Sequence, residues 1–428
     1  MNDNKISKNS IVAKFAVPIS FLILFFLAAN FTDCDLVTFW KRRSHLTDLV
    51  VDMIPPDFSY IQKILLPLFY TIQMSVTGTV LGIFFALVLS PFGAANLGFP
   101  AVIRRILRIV IQILRSFPAL ILALTATFLF GLGTFAGTFA ITLYTFAIMT
   151  KLTYEDASAA DVKAYQALRA MGVSKYVAYI HGILPEIIPG FLTNALYLLE
   201  TNVRHSSILG YVGAGGIGLL LNEKISWLEY DKVGTILLML FLTVCVIEYF
   251  SRYLAALIRK ERTIKKEQAR LLLLFLAALF LICTFTLSLP DFSRTSPQTL
   301  RNMFAGFLQP DWSFFFSAEK DGLGYLLLET VCIAFIGTVI GAIVSAPLAF
   351  LNTKRFVPAP VSFLFNLVIM VIRSVPFLVY GLIFIRVSGP GAFTGVLTLA
   401  VCSIGLLTKR FTEALDALAV SYTHLRAH

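Results

Sequence analysis

Gly213, Gly215 and Gly218 have the G-x-G-x-x-G spacing, and Asp231 follows at about the distance at which a carboxylate holds a ribose hydroxyl. Such a turn binds a dinucleotide when it joins a buried strand to a helix of a soluble βαβ unit. Arg115 and Arg373 lie inside apolar stretches, each just before a Ser-x-Pro step that ends at Pro118 and Pro376. A cation in apolar surroundings needs a counter-charge, a carbonyl or water. Glu155 and Glu413 recur just after apolar runs and have the look of paired acid–base carboxylates. Glu200 and Arg204 are spaced i, i+4, one helical turn apart. Cys34, Cys245, Cys283, Cys332 and Cys402 lack metal-ligand spacing, and all but Cys34 fall in apolar runs. They read as packing thiols and offer no metal site. His181, beside the Leu184–Pro185 step, reads as a docking or surface histidine.

The elements that carry these residues decide between such chemistries. Hydrophobic residues make up 58% of the 428 positions and charged residues 14%, whereas a soluble domain carries about 25% charged residues. Mean hydropathy is +0.83. So few charges cannot cover a water-facing surface, and the chain reads as an all-α polytopic membrane protein. Apolar runs occur near 15–31, 64–90, 103–130, 134–150, 187–210 and 232–256. After the basic stretch 258–270, further runs follow near 271–289, 324–350, 360–386 and 393–408. About ten spans are expected, the first a retained span with no clear cleavage site after it. Starting with a cytoplasmic N-terminus at Lys5, Lys8 and Lys14, even-numbered spans end inside. Arg104, Arg105, Arg108, the loop from Lys151 to Lys175, the basic linker, Lys354 and Arg355 then all lie in the cytoplasm. Only Lys41, Arg42 and Arg43 dissent. The net charge of +11 is explained by this bias and calls for no nucleic-acid partner.

The chain repeats itself. Arg115 to Pro118 returns 258 positions later as Arg373 to Pro376, and "GLGTFAG" (131–137) returns at the same shift as "GPGAFTG" (389–395). Lys151 and Glu155 return as Lys409 and Glu413, "TGTVLG" (77–82) as "IGTVIG" (336–341), and "PPDFS" (55–59) loosely as "QPDWS" (309–313). A constant offset over many landmarks signals a duplication. With six spans between equivalent points, both halves share one orientation, giving a parallel repeat about the membrane normal. The expected division is a first repeat at 1–257 with six spans, a cytoplasmic linker at 258–270, and an incomplete second repeat at 271–420. A tail at 421–428 fits the repeat poorly and reads as non-native, on a shortened second half.

The longest polar interruption of the first half, 154–186, reads as two short helices joined at Gly172 and ending at Leu184–Pro185. Gln166, Ala167, Leu168, Gly172, Gly182, Ile183, Leu184 and Pro185 resemble the coupling loop of ABC importer permeases, E-A-A-x-x-x-G-x9-I-x-L-P. Two departures stand out: Gln166 in place of the acid and Gly182 in place of an apolar residue. R-S-x-P, G-x-G-x-F-x-G and "LETNVRHSSILGYVGAGGIG" (199–218) make the chain similar to the phosphonate-type branch of that superfamily, beside the methionine importers. The resemblance implies tandem type I importer transmembrane domains in a bacterial inner membrane. It implies two cytoplasmic ABC ATPase subunits that bind ATP and Mg, and an extracytoplasmic solute-binding protein. The solute it implies is phosphonate or a relative; methionine, phosphate and phosphite stay open. The chain itself has no G-x-x-x-x-G-K-[ST] and is expected to need no cofactor and to be no enzyme.

Under this reading Glu155 and Glu413 start the coupling helices, where the helix dipole favours a negative charge. Arg115 and Arg373 either offer positive potential to an anionic solute or cap carbonyls freed by Pro118 and Pro376. Glu200 and Arg204 either line the pathway or neutralise each other on one helix. Asn194, Thr201 and Asn202 are further pathway candidates. Gly213, Gly215, Gly216 and Gly218 form a flexible turn at the external mouth, with the dinucleotide reading set aside. A secondary transporter working without ATP is the competing reading, and it has no use for the Gly-elbowed helix pair. A membrane-embedded oxidoreductase would need a nucleotide site or a His/Asp cluster that the sequence lacks.

Overall fold

The computed structural model of the chain describes residues 8–34, 36–260, 265–290, 297–309, 311–317 and 319–425. In chain order the helices are α1 (Lys8–Phe31), α2 (Leu36–Lys41), α3 (Arg43–Asp52), α4 (Ile61–Gly93), α5 (Ala101–Ser116), α6 (Ala119–Phe130) and α7 (Thr134–Ala159). Then come α8 (Lys163–Ala170), α9 (Lys175–Gly182), α10 (Leu184–Leu209), α11 (Ile217–Ser226), α12 (Tyr230–Ile258) and α13 (Lys266–Phe285). The series ends with α14 (Pro297–Leu308), α15 (Trp312–Phe316), α16 (Leu323–Asn352), α17 (Ala359–Ser374), α18 (Phe377–Ser388) and α19 (Ala392–Leu425). No strand occurs among the described residues. Lys5, residues 261–264 of the basic linker and 426–428 of the C-terminal stretch lie outside them.

Among the described residues, six helices are long and apolar enough to cross a bilayer, and up to nine spans result if each of three sharply bent pairs counts as one. The first apolar run is a shorter stretch, Pro18–Phe31. The runs near 103–130 and 360–386 are not straight spans: α5 meets α6 at 96° and α17 meets α18 at 88°. Both breaks fall at Arg-Ser-x-Pro. Proline has no N–H to donate and drives the residue before it out of the helical region. Phe117 and Val375 accordingly have ψ of 124° and 125°. Arg115 and Arg373 therefore stand at corners, where a position along a continuous span was expected.

Two compact bodies make up the chain, one of residues 55–306 and the other of 1–54 with 307–428. In the first, α4 and α7 run parallel in close contact. Added Cβ atoms at Gly78 and Gly82 would lie 2.8 Å from Ile141 Cβ and 2.6 Å from Thr145 Cβ. In the second, α16 and α19 repeat this contact, with Gly337 against Leu399 at 2.7 Å and Gly341 against Ser403. Gly-x-x-x-Gly lets two backbones approach within van der Waals range, a main source of association where lipid removes the hydrophobic drive. This packing is what the repeated "GTVLG" and "GTVIG" encode. The loose repeat at 55–59 and 309–313 is also one device used twice. Asp57 accepts the Ser59 N–H at 2.9 Å, and Asp311 accepts that of Ser313 at 2.9 Å. Each caps a short helical turn.

The bodies do not follow the repeat boundary. In the first, α13 packs on α4, where Gln73 Nε2 donates to the Cys283 carbonyl at 3.0 Å and to Thr286 Oγ1 at 2.8 Å. In the second, α1 packs on α16 through Phe21–Phe335 and Phe31–Tyr325, with ring centroids 5.3 and 4.9 Å apart. The first helix of each repeat thus belongs to the body built on the other repeat. Outward faces are apolar: Phe84, Phe85, Ile106, Phe128, Val246 and Val344 are exposed, as a surface bathed in lipid requires.

Candidate functional site

The polar interruption folds into α8 and α9, set at the end of α7. The α7 helix runs to Ala159, and Ala160 is extended (ψ 156°). Asp161 Oδ1 then accepts the Lys163 N–H at 3.0 Å, and this bond holds its carboxyl below the usual range. At the far end of α8, Gly172 adopts φ +86°. Its N–H returns to the Arg169 carbonyl at 3.1 Å, and the Val173 N–H to the Leu168 carbonyl at 3.2 Å. These two bonds form a Schellman cap, whose left-handed residue carries no side-chain penalty when it is glycine. The Arg169 guanidinium bonds the Val173 carbonyl, and Ser174 Oγ caps α9 by accepting the Val177 N–H at 3.4 Å.

A small core seats this elbow. Tyr165, Ala178, Tyr179, Ile183 and Ile187 pack with Ala94, Leu97 and Ala157, and Leu168 and Leu184 lean against them. Tyr165 Oη donates to the Leu97 carbonyl at 2.6 Å and Asn96 Nδ2 to the Ala157 carbonyl at 3.0 Å. Gly182 explains its own departure from the family pattern. A Cβ there would stand 2.8 Å from the Tyr165 backbone nitrogen, so α9 crosses α8 where no side chain fits. Gln166, Ala167, Ala170, Met171 and Gly172 remain exposed, and Met171 at 71% is the tip of the knob. Pro185 is exposed in the first turn of α10. The elbow thus presents a short, partly apolar knob on a glycine cap, with Lys163 exposed nearby. Tyr165 and Tyr179 were not singled out from the sequence, although aromatic residues in a polar surface segment already hinted at a buried underside.

Glu155 does not start a coupling helix. It lies in the last turns of α7, paired with Lys151 at 3.5 Å, because nothing breaks the helix before Ala160; Asp161 holds the helix-entry position instead. Glu413 likewise lies within α19 and pairs with Arg410 at 3.1 Å. Asn202 does not line a path. It is wholly buried and donates to Thr79 Oγ1 and Thr145 Oγ1, both at 2.8 Å. Ser206 Oγ meets Ser75 Oγ at 2.7 Å one turn on. This polar seam bolts α10 antiparallel onto the α4–α7 pair. Glu200 is buried and bonded to Arg204. Asn194 is half-buried on α10.

The glycine turn sits at the opposite end of α4, from Thr71 to Gly93 about 33 Å away at 1.5 Å per residue. Gly213, Gly215 and Gly216 all have positive φ, from +74° to +83°. Close contacts surround each step of the turn. The Gly213 carbonyl accepts the Gly133 N–H at 3.0 Å, and Thr71 Oγ1 accepts the Ile217 N–H at 2.8 Å. A Cβ at Gly218 would overlap the Ser207 carbonyl and one at Gly210 the Leu219 nitrogen. A short helix, α11, follows before α12. In its last turn Lys224 binds Glu223 and Glu229, each at 2.9 Å, and faces the Trp227 ring at 4.4 Å. The Glu229 carboxylate raises the lysine pKa and is itself held low by it.

Residues 78–263 match the family described as binding-protein-dependent transport system inner membrane component. The chain is 31% identical over 217 residues to the phosphite transport system permease PtxC of Stutzerimonas stutzeri, covering 51% of this chain and 79% of that one. It is 25% identical over 382 residues to the phosphate-import permease PhnE of Mycolicibacterium smegmatis, covering 87% and 71%. A methionine ABC transporter in an inward-facing conformation aligns with a TM-score of 0.43 at 21% identity, over 47% of this chain and 99% of that one. ATPase and binding-protein partners belong to this family in general. The chain, a multi-pass membrane protein, belongs to the inner membrane component family of binding-protein-dependent transport systems.

Proposed function

We propose that this chain is the membrane-spanning subunit of an ATP-driven importer for phosphonate or a related phosphorus oxyanion such as phosphite or phosphate. The observation that carries this reading is the elbow, a rigid Gly172 cap presenting Ala167, Ala170 and Met171 at one end of the helix bundle. Two cytoplasmic ATPase subunits hold ATP and Mg, and docking on the elbow transmits their closure to the helices through the core under Tyr165 and Tyr179. An extracytoplasmic binding protein delivers the solute at the glycine-turn end, and the N-terminus is cytoplasmic. The two repeats act as two half-pores. The names of the relatives favour the oxyanion over methionine. A transporter working without ATP leaves the elbow unexplained.

Gly172→Val tests the coupling. A β-branched residue at φ +86° costs roughly 1–2 kcal/mol of backbone strain, enough to reshape the knob while the spans still insert. Solute-stimulated ATP hydrolysis by the co-purified complex is expected to be lost, with normal membrane insertion. Unchanged stimulation would sink the coupling role, and failure of any ATPase to co-purify with the wild-type chain would sink the importer reading.

A further inference from the structure

The residues between α4 and α5, 94–100, form a connecting loop. Such a segment ordinarily runs over the surface with its backbone in solvent. Here successive residues are claimed by α7, α8 and α9. The Ala95 N–H donates to Ser158 Oγ at 3.2 Å, and Asn96 Nδ2 donates to the Ala157 and Ser158 carbonyls at 3.0 and 3.3 Å, all at the end of α7. The Leu97 carbonyl accepts Tyr165 Oη of α8 at 2.6 Å, and the Gly98 carbonyl accepts Lys175 Nζ of α9. Ala94 and Leu97 are buried in the core under the elbow. Phe99 packs on Phe92 with ring centroids 4.8 Å apart, and Phe92 stacks on Tyr176 of α9 at 6.2 Å. The loop is strapped to the elbow along its whole length.

The strap is also closed on the side of α5. The Pro100 carbonyl accepts the Arg104 N–H at 3.2 Å. Arg108 donates back to the Gly93 carbonyl at 3.0 and 2.9 Å and lies 5.0 Å over the Tyr154 ring. A shift of α8 and α9 must therefore break these bonds or carry the strap and the start of α5 along. The helices that leave the elbow directly are less free to follow. Both are fixed to α4, α7 by the close contact at Gly78 and Gly82 and α10 by the bonds of Asn202 and Ser206. The α5 helix is held less tightly: Val102, Ile106, Ile109 and Ile113 are exposed, and Ile111 is its buried residue. At Phe117–Pro118 the chain turns by 96° into α6. Leu122 and Ala123 of α6 share a buried cluster with Ala214 of the glycine turn, and Gly133 just beyond α6 donates to the Gly213 carbonyl at 3.0 Å. Elements with few buried contacts, joined at sharp breaks, are those that move when a protein changes state.

We propose that the 94–100 strap carries the elbow's movement to α5, with Phe117–Pro118 as the hinge, and so to α6 against the glycine turn. Asn96, Leu97 and Tyr165 are then positioning residues for transport. This rests on the importer reading above and names the route by which the elbow acts. The strap's hydrogen bonds set how fully the bundle follows the elbow, since each weights the arrangement in which strap and elbow move together. In the second body Lys354 and Arg355, both exposed, stand at the places of Asn96 and Leu97.

The test uses the full chain with its ATPase and binding protein in proteoliposomes. It measures uptake of methylphosphonate, phosphite and phosphate alongside ATP hydrolysis. Tyr165→Phe keeps the ring in the core and removes only the bond to Leu97. Asn96→Ala, at an exposed position, removes the bonds to the end of α7. The ATPase is expected to co-purify with both variants as it does with wild type. The amount of anion carried per ATP should fall roughly threefold in each single variant and about tenfold in the double, the weight of one and of two hydrogen bonds. A purely structural role would lower the yield of complex and leave anion per ATP in place. A wild-type ratio in the double variant overturns the proposal. So does loss of the ATPase from Tyr165→Phe, which would mean that the strap only shapes the knob. If no ATPase co-purifies with the wild-type chain, or the wild-type complex carries none of the three anions, the reading above fails first and takes the strap's role with it.

Discussion

The two Arg-Ser-x-Pro corners share a sequence and a bend, 96° and 88°, yet their arginines live differently. Arg373 is packed over Gly405. Arg115 has buried Ala147 at the position equivalent to Gly405 and stands accessible. The same contrast runs through both halves. Helix packing is duplicated: Gly78 and Gly82 do for α4 and α7 what Gly337 and Gly341 do for α16 and α19. Polar contacts differ where both halves can be compared: Thr145 accepts the Asn202 amide at 2.8 Å, whereas Ser403 stands at its place and Ser345 Oγ donates to the Ile404 carbonyl at 3.3 Å. Small residues that let backbones touch can be copied without regard to function. Buried polar groups must each find a partner.

This comparison is easiest to break at the shared seam. Gly82→Leu and Gly341→Leu are each expected to cost about 3 kcal/mol, because backbone and Cβ atoms already fill the space. Thermal unfolding in detergent should show similar losses; a loss for Gly82→Leu alone would end the equivalence of the two packings. Asn202→Leu should cost about 1–2 kcal/mol by leaving Thr79 and Thr145 without their donor. Ser403→Ala, at the place of Thr145, should stay within about 0.5 kcal/mol, and an equal cost at both sites would mean a polar seam in the second half as well.

The smallest effect concerns the paired caps. Hydrogen bonds from the Ser59 and Ser313 side chains hold the carboxyls of Asp57 and Asp311 below the ordinary aspartate range. A lowered folded value means each cap contributes fully above the ordinary pKa and is lost as pH falls through the lowered one. Protection factors at the Ser59 and Ser313 amides, taken against the intrinsic exchange rate at each pH, should therefore fall in acid at both caps together. Acid fraying at one cap only would separate the two.

Much of the fold was legible in advance because it follows from hydropathy and period. The polytopic helical class, the Gly172 elbow and the Leu184–Pro185 step were readable from residue order alone. The corners were less legible. Arg115 to Pro118 lies in a run apolar enough to pass as one span, and hydropathy carries no angle. Glu155 was misread because a helix end was assigned from charge, while the chain breaks at Ala160 and Asp161 supplies the entry bond. Asn202 looked like a pathway residue because an amide among apolar residues invites that reading. Its partners, Thr79 and Thr145, are 123 and 57 residues away and leave no trace in its neighbourhood.

The sequence by itself determined what is local or periodic. It set which stretches suit lipid, where glycine must take a positive φ, where proline ends a helix, and which short motifs recur at a constant offset. Only the tertiary structure decided which cation is spoken for and which is bare, and which amide is a bolt. It also decided that α13 belongs with α4 and α1 with α16. The physical reason is the same in each case. Burial and hydrogen bonding depend on groups brought together from distant parts of the chain, and hydropathy and spacing do not report on those meetings.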